Sequence, residues 1–298
     1  MPNLNQWVNH QFLKSGAVIV ALLLSQAACA GESLFGWVYT LDIVPKGKYE
    51  IAQHAQWNHK QKGDYDNVFL RSELEYGLTD DIQIAGYVNL DYINAKRNDR
   101  NGETAGSKIP ESIDVTKRYS KFRYDSVSGE LLWRVMNPYT DVIGVGIYIE
   151  PTWGYDSKAL ETRLILQKNM IDDKLVLAAN FQFETERDEI ATNSEPEKAS
   201  HFDILVGASY RFAPNWSAGF DYRYHNDFSG YFYQESTQHA HFIGPNIHYG
   251  TTNWWGTLAL RHQTHGSCHG VGAGECADGR VLDDHGRDEL ILKVGFPL

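Results

Sequence analysis

Apolar and polar residues alternate through twelve stretches of this chain, and the breaks between them alternate in length. The tight breaks are Thr79-Asp80-Asp81, Asn137-Pro138-Tyr139-Thr140, Ile171-Asp172-Asp173, Ala213-Pro214-Asn215 and Gly250-Thr251-Thr252-Asn253. The breaks between these are mostly longer and strongly polar, such as 93–121 and 185–200. A soluble sandwich has no reason to sort its loops by parity. A barrel threaded through a membrane does, because one rim carries short periplasmic turns and the other long extracellular loops. The pattern predicts an all-β fold: a transmembrane antiparallel up-and-down β-barrel of about 12 strands.

The alternation is clean within single strands. In the second, Val68, Leu70, Leu74, Tyr76 and Leu78 share one face, while Arg71, Glu73 and Glu75 take the other. In the seventh, Leu175, Leu177, Ala179, Phe181 and Phe183 oppose Asn180, Gln182 and Glu184. Period two with one greasy and one wet face is the strand signature. Each strand is expected to run about ten residues, enough for a tilted strand to cross the hydrocarbon layer. Trp57, Tyr76, Tyr92, Trp153, Trp216 and Trp254 fall near strand ends, where interfacial girdles belong. Gly244-Pro245 interrupts the tenth strand and predicts a bulge there.

The first residues read as an export signal. Lys14 precedes a short apolar run, and Ala28-Cys29-Ala30 offers small residues at a cleavage site. The chain thus divides into a cleaved signal peptide (1–30), a periplasmic N-terminal segment or plug (31–47) and the barrel (48–298). A lipoprotein signal acylated at Cys29 fits less well, because Gln26 stands where an aliphatic residue is wanted. Mean hydropathy is negative, as it must be when a strand shows lipid only every second residue. The formal charge of −11 becomes −12 once Lys14 is removed. So acidic a chain lacks the basic face that nucleic-acid binding needs. Cys268 and Cys276 lie in one loop, and an oxidising compartment makes a disulfide the default.

Several segments resemble an uncharacterised proteobacterial family of predicted outer-membrane β-barrels. They are Leu34-Phe35-Gly36-Trp37-Val38-Tyr39-Thr40 with Pro45-Lys46-Gly47, Asn137-Pro138-Tyr139-Thr140-Asp141, Leu164-Ile165-Leu166-Gln167-Lys168-Asn169, and Gly244-Pro245-Asn246. The resemblance implies the outer membrane of a Gram-negative bacterium and a barrel, and brings no activity with it. The last strand also resembles the C-terminal signal read by the barrel-assembly machinery. It departs in ending on Leu298, with Phe296 two residues earlier, where such signals finish on Phe or Trp.

Strand parity assigns a set of charged residues to the lumen: Glu50, Arg71, Glu73, Glu75, Glu130, Arg134, Glu150, Glu161, Arg163, Glu184, Asp203, Arg211, Asp221, Arg223, Glu289 and Lys293. His54, Asp91 and His225 share that parity. On the lipid face an Arg or Lys would cost about 2–4 kcal/mol near the midplane. These charges either brace a narrow barrel or line an aqueous path. The expected function is a narrow channel for small polar or cationic solutes, with outer-membrane lipid as its surroundings and no cofactor.

The alternative is a non-transporting structural or ligand-binding barrel that acts through its outer loops. His262, His265 and His269 form a local cluster that could hold a metal, with Asp283 and Asp284 nearby. A lipid hydrolase is the third reading. His225-Asn226-Asp227-Phe228-Ser229-Gly230 is the nearest match, but it lacks the His-x-Ser-Asn-Gly spacing of outer-membrane phospholipases. No catalytic residue is assigned.

Overall fold

The computed structural model describes residues 33–61, 65–95, 117–155, 157–188, 196–274, 276–282 and 285–298. The expected signal peptide and Asp283 and Asp284 lie outside them. Twelve strands form one closed barrel. They are β1 (Tyr49–Gln61), β2 (Tyr65–Gly77), β3 (Ile82–Ala95), β4 (Tyr119–Met136), β5 (Gly144–Gly154) and β6 (Ser157–Met170). There follow β7 (Leu175–Asp188), β8 (Glu197–Ala213), β9 (Trp216–Ser229), β10 (Glu235–Gly250), β11 (Trp255–Cys268) and, last, β14 (Asp288–Pro297). Each pairs antiparallel with its neighbour in the chain, and β1 closes on β14 from Glu50↔Pro297 to His59↔Asp288. A small hairpin of β12 (Cys276–Ala277) and β13 (Arg280–Val281) precedes β14.

Burial is inverted relative to a soluble protein. Leu74, Val88, Trp133, Ile147, Leu164, Phe220, Ile247 and Leu258 are exposed on the outside. Asp203 and Glu50 are only 1% exposed, and Lys293 only 5%. Such an arrangement is favourable only when hydrocarbon replaces water around the cylinder.

The strands span 10 to 18 residues, several of them longer than expected from bilayer thickness alone. The outer end of β4 shows why. Ser120, Lys121 and Phe122 are all exposed there, so both faces of the strand are open. Gly244 and Pro245 make no bulge. Pairing with β11 lapses between Ile243↔His262 and Asn246↔Ala259 without a change of register. The register shift lies instead at His241/Phe242. Gly244 is required where it stands, because a Cβ there would sit 1.7 Å from the Leu260 carbonyl oxygen.

Candidate functional site in the barrel lumen

Residues 33–47 run inside the barrel, near the end that carries the tight turns. Phe35, Val38, Leu41, Ile43 and Val44 are all nearly or fully buried. A peptide crossing a lumen has no neighbouring strand, so its backbone needs other partners. The wall supplies them as side-chain amides and acids. Asp221 accepts from Gly36 N at 2.9 Å, Gln167 from Leu41 N at 2.6 Å and Gln83 from Val44 N at 2.8 Å. Asn180 bonds both polar groups of Tyr39, accepting from N at 2.6 Å and donating to O at 2.9 Å. Amides suit this task because each carries a donor and an acceptor, as a peptide does. Thr257 donates to Ser33 O, and Lys293 Nζ lies 3.1 Å from Ser33 Oγ.

Glycines in the wall complete the fit. A Cβ on Gly207 would stand 2.6 Å from the Phe35 ring, and one on Gly146 2.3 Å from Leu41 Cδ2. Phe35 and Val38 pack with Val176, Ala178 and Leu205, while Leu41 and Ile43 pack with Leu132, Tyr148 and Ile165. At the tight-turn end, Tyr139 donates to Asp42. Burial and that carboxylate push the Tyr139 phenol up, which keeps it a donor.

The segment separates two spaces. Toward the tight turns lies a cavity of about 50 Å³ whose lining includes Glu73, Glu75 and Glu130 together with His54 and Lys293. On the other side lies a cavity of about 220 Å³, lined by Trp37 and Tyr39 of the segment and by Arg71, Arg163, Arg223, Arg261 and Lys293 of the wall. Glu161 is the one carboxylate among the described residues that line it. The other acids stand behind the guanidiniums. Arg71 pairs with Glu150 at 2.9 Å, Arg223 with Asp203 at 2.7 Å, and Arg261 with Glu289. All four guanidiniums also lie over aromatic rings: Arg71 over Tyr87 at 4.4 Å, Arg163 over Tyr39 at 4.3 Å, Arg261 over Trp37 at 4.1 Å and, more distantly, Arg223 over Phe242 at 5.8 Å. Stacking and pairing hold these planar cations in fixed orientations.

The outer mouth is capped on one side. The β12–β13 hairpin folds in against Ala240 and Phe242, with Val281 fully buried. Gln263 fixes it, accepting from Val281 N at 2.7 Å and donating to Val281 O at 2.6 Å. Cys268 and Cys276 are joined in a disulfide at its base.

The residues that strand parity assigns to the lumen differ in burial. Glu50, Glu73, Glu130, Glu150, Asp203, Asp221, Glu289 and Lys293 are buried. Arg71, Glu75, Glu161, Arg163, Glu184 and Arg223 are partly so. Arg134 sits at the tight-turn end and donates to the Leu41 carbonyl at 3.3 Å. Arg211 shares the inward parity but lies exposed at the rim, where Nη2 donates to Asp173 O at 3.3 Å. It occupies the last inward position before the turn, where the wall ends. Arg261 was missed, although the parity of Leu258 and Leu260 would have turned it inward.

His262, His265 and His269 are not brought together. His262 bonds Asp288 at 2.6 Å, His265 lies beside His241 with ring centroids 6.3 Å apart, and His269 Nε2 lies 3.2 Å from His239 Nδ1. The three-ligand group found among the described residues is His201, His225 and Asp227. Ser229 is four residues beyond His225 on an extended strand, about 13 Å away, out of hydrogen-bond reach.

The profile of a family of unknown function (DUF6662) matches residues 27–298. No curated protein matches the sequence. Among solved structures, an outer-membrane channel from Pseudomonas putida F1 superimposes with a TM-score of 0.57 at 11% identity, covering 90% of this chain and 100% of that one. The NanC porin gives 0.49 at 9% identity, with 84% and 100% covered. The KdgM porin gives 0.44 at 10% identity, with 83% and 98% covered. At such identities the likeness is one of fold: a closed antiparallel barrel of the outer-membrane type.

Proposed function

We propose, for a chain that belongs to the family of unknown function DUF6662, that it is an outer-membrane channel for small polar solutes, narrowed from within by residues 33–47. The solute class we favour is anionic, in place of the cationic class expected from the acids on the inward strand faces. The supporting observation is the 220 Å³ cavity, which presents four guanidiniums and Lys293 with their acids mostly behind them. A solute at that point meets the cations first, whatever the sum over the chain. Fixed charges at a constriction set selectivity.

Planar-bilayer recording in a salt gradient tests both parts. The reversal potential should show anion preference, and Arg163→Gln with Arg261→Gln should reduce it. A chain that never conducts, at any voltage or salt, is not a channel. A cation-preferring conductance removes the anionic solute alone.

A second reading is a non-transporting barrel whose interior segment is a permanent fill. The glycine pits beneath Phe35 and Leu41 favour it. It predicts silence in the same recording, in a protein that folds and inserts normally.

A further inference from the structure

Near the outer end of β7, β8 and β9, inward-facing imidazoles and carboxylates meet in a group apart from the segment 33–47. The β8–β9 register sets His201 opposite Asp227 and Asp203 opposite His225. Arg223 grips Asp203 with two bonds of 2.7 Å. Asp203 Oδ1 lies 2.7 Å from His225 Nδ1, and Arg223 Nη2 is equally near that nitrogen. Nδ1 thus faces a carboxylate and a guanidinium at once, and the tautomer that donates Nδ1–H to Asp203 leaves the lone pair on Nε2.

His225 Nε2 points at Asp227, 2.5 Å from Oδ1. That nitrogen is buried, in a side chain only 3% exposed, and is poorly aligned to share a proton along this contact. When Nε2 holds its lone pair, two buried electron-rich atoms at that separation require a positive charge between or beside them, supplied by a protonated His201 or by a bound cation. His201 Nδ1 also meets Asp227 Oδ1, its Nε2 lies 2.5 Å from Glu186 Oε1 of β7, and the ligand atoms of His201, His225 and Asp227 lie within 4.8 Å of one another. His285, just before β14, places Nε2 3.6 Å from Asp227 Oδ2.

We propose that His201, His225 and Asp227, joined by His285, bind one divalent transition-metal ion of the zinc type at the outer mouth of the lumen. Imidazoles with one carboxylate form a borderline-soft donor set that suits zinc and disfavours calcium or magnesium. Asp203, itself held by Arg223, is the outer partner that orients a ligating histidine. His285 follows the β12–β13 hairpin in the chain. The ion therefore ties the mouth-capping region to the β8–β9 wall.

The test uses the full chain refolded in detergent and stripped with a chelator. Zn²⁺ is followed by calorimetry and Co²⁺ by its visible absorption. One equivalent of each should bind, with a four-coordinate cobalt spectrum. Asp227→Asn and His225→Gln should each weaken Zn²⁺ at least tenfold. His239→Ala combined with His269→Ala, which removes the outer-wall pair, should change nothing. Heat-modifiable gel migration reports whether each variant folds, and His201→Gln carries the same expectation if His225→Gln does not. Wild-type protein that takes up no zinc overturns the proposal. So does binding that survives Asp227→Asn but is lost with His239 and His269, which would place the ion on the outer wall. A group held together only by protons would give neither the stoichiometry nor the spectrum.

Discussion

Leu41→Ala is the most informative single change to the lumen. Leu41 is fully buried, and its methyl groups fill the pit left by Gly144 and Gly146. Truncating a buried leucine costs about 2–5 kcal/mol. Leu41 is in no strand, so the loss falls on docking of the segment and spares the cylinder. At about 1.4 kcal/mol per decade, the undocked-to-docked ratio rises roughly 30- to 4,000-fold. The wall amides on Tyr39 and Val44 still bind backbone and are untouched. Two measurements follow. Open probability in planar bilayers should rise, and chymotrypsin should cut at Phe35, Trp37 or Tyr39 far faster than in wild type. Phe35→Ala, worth about 3–5 kcal/mol, should act the same way. If folded Leu41→Ala shows wild-type conductance and wild-type cleavage, the docking energy does not reside in these pits and the reasoning fails.

Other expectations concern the wall and its cap. Gly244→Ala forces a Cβ to 1.7 Å from the Leu260 oxygen; it should lower the urea midpoint by the equivalent of about 1–3 kcal/mol or more, and an unchanged midpoint would mean the β10–β11 seam is looser than drawn. Arg223→Met leaves Asp203 buried beside His225 without its cation, a loss of about 3–5 kcal/mol, measurable as earlier unfolding in denaturant. Reducing Cys268–Cys276 removes a short-loop constraint worth roughly 2–3 kcal/mol. Amide exchange should then quicken over 276–282 while the barrel strands stay protected; exchange that spreads through β10 and β11 would count against a local role.

The cylinder was legible because period-two alternation survives wherever one face meets lipid and the other does not. It faded at the outer ends of β4 and β8, where consecutive residues on both faces are exposed. The lumen charges followed from the same parity. What parity could not supply was distance across the bore. Phe35 and Leu41 fill pits made by Gly207 and Gly146, and a glycine in a strand says that something is close without saying what. The histidines were misjudged for a related reason. His262 and His265 are close in sequence yet meet different partners, while His201 and Asp227 lie at equal spacing on either side of Pro214. That symmetry about a tight turn was available and places the two face to face.

The segment 33–47 precedes every strand, yet its partners are spread over nearly the whole circumference. Gln83 comes from β3, Gln167 from β6, Asn180 from β7, Asp221 from β9 and Thr257 from β11. No subset of early strands offers this binding groove. A segment that precedes β1 therefore has its full set of partners only when β11 is in place as well. A cylinder without those partners has no means of holding its own filling, so the contents of the bore are tied to the closure of its wall.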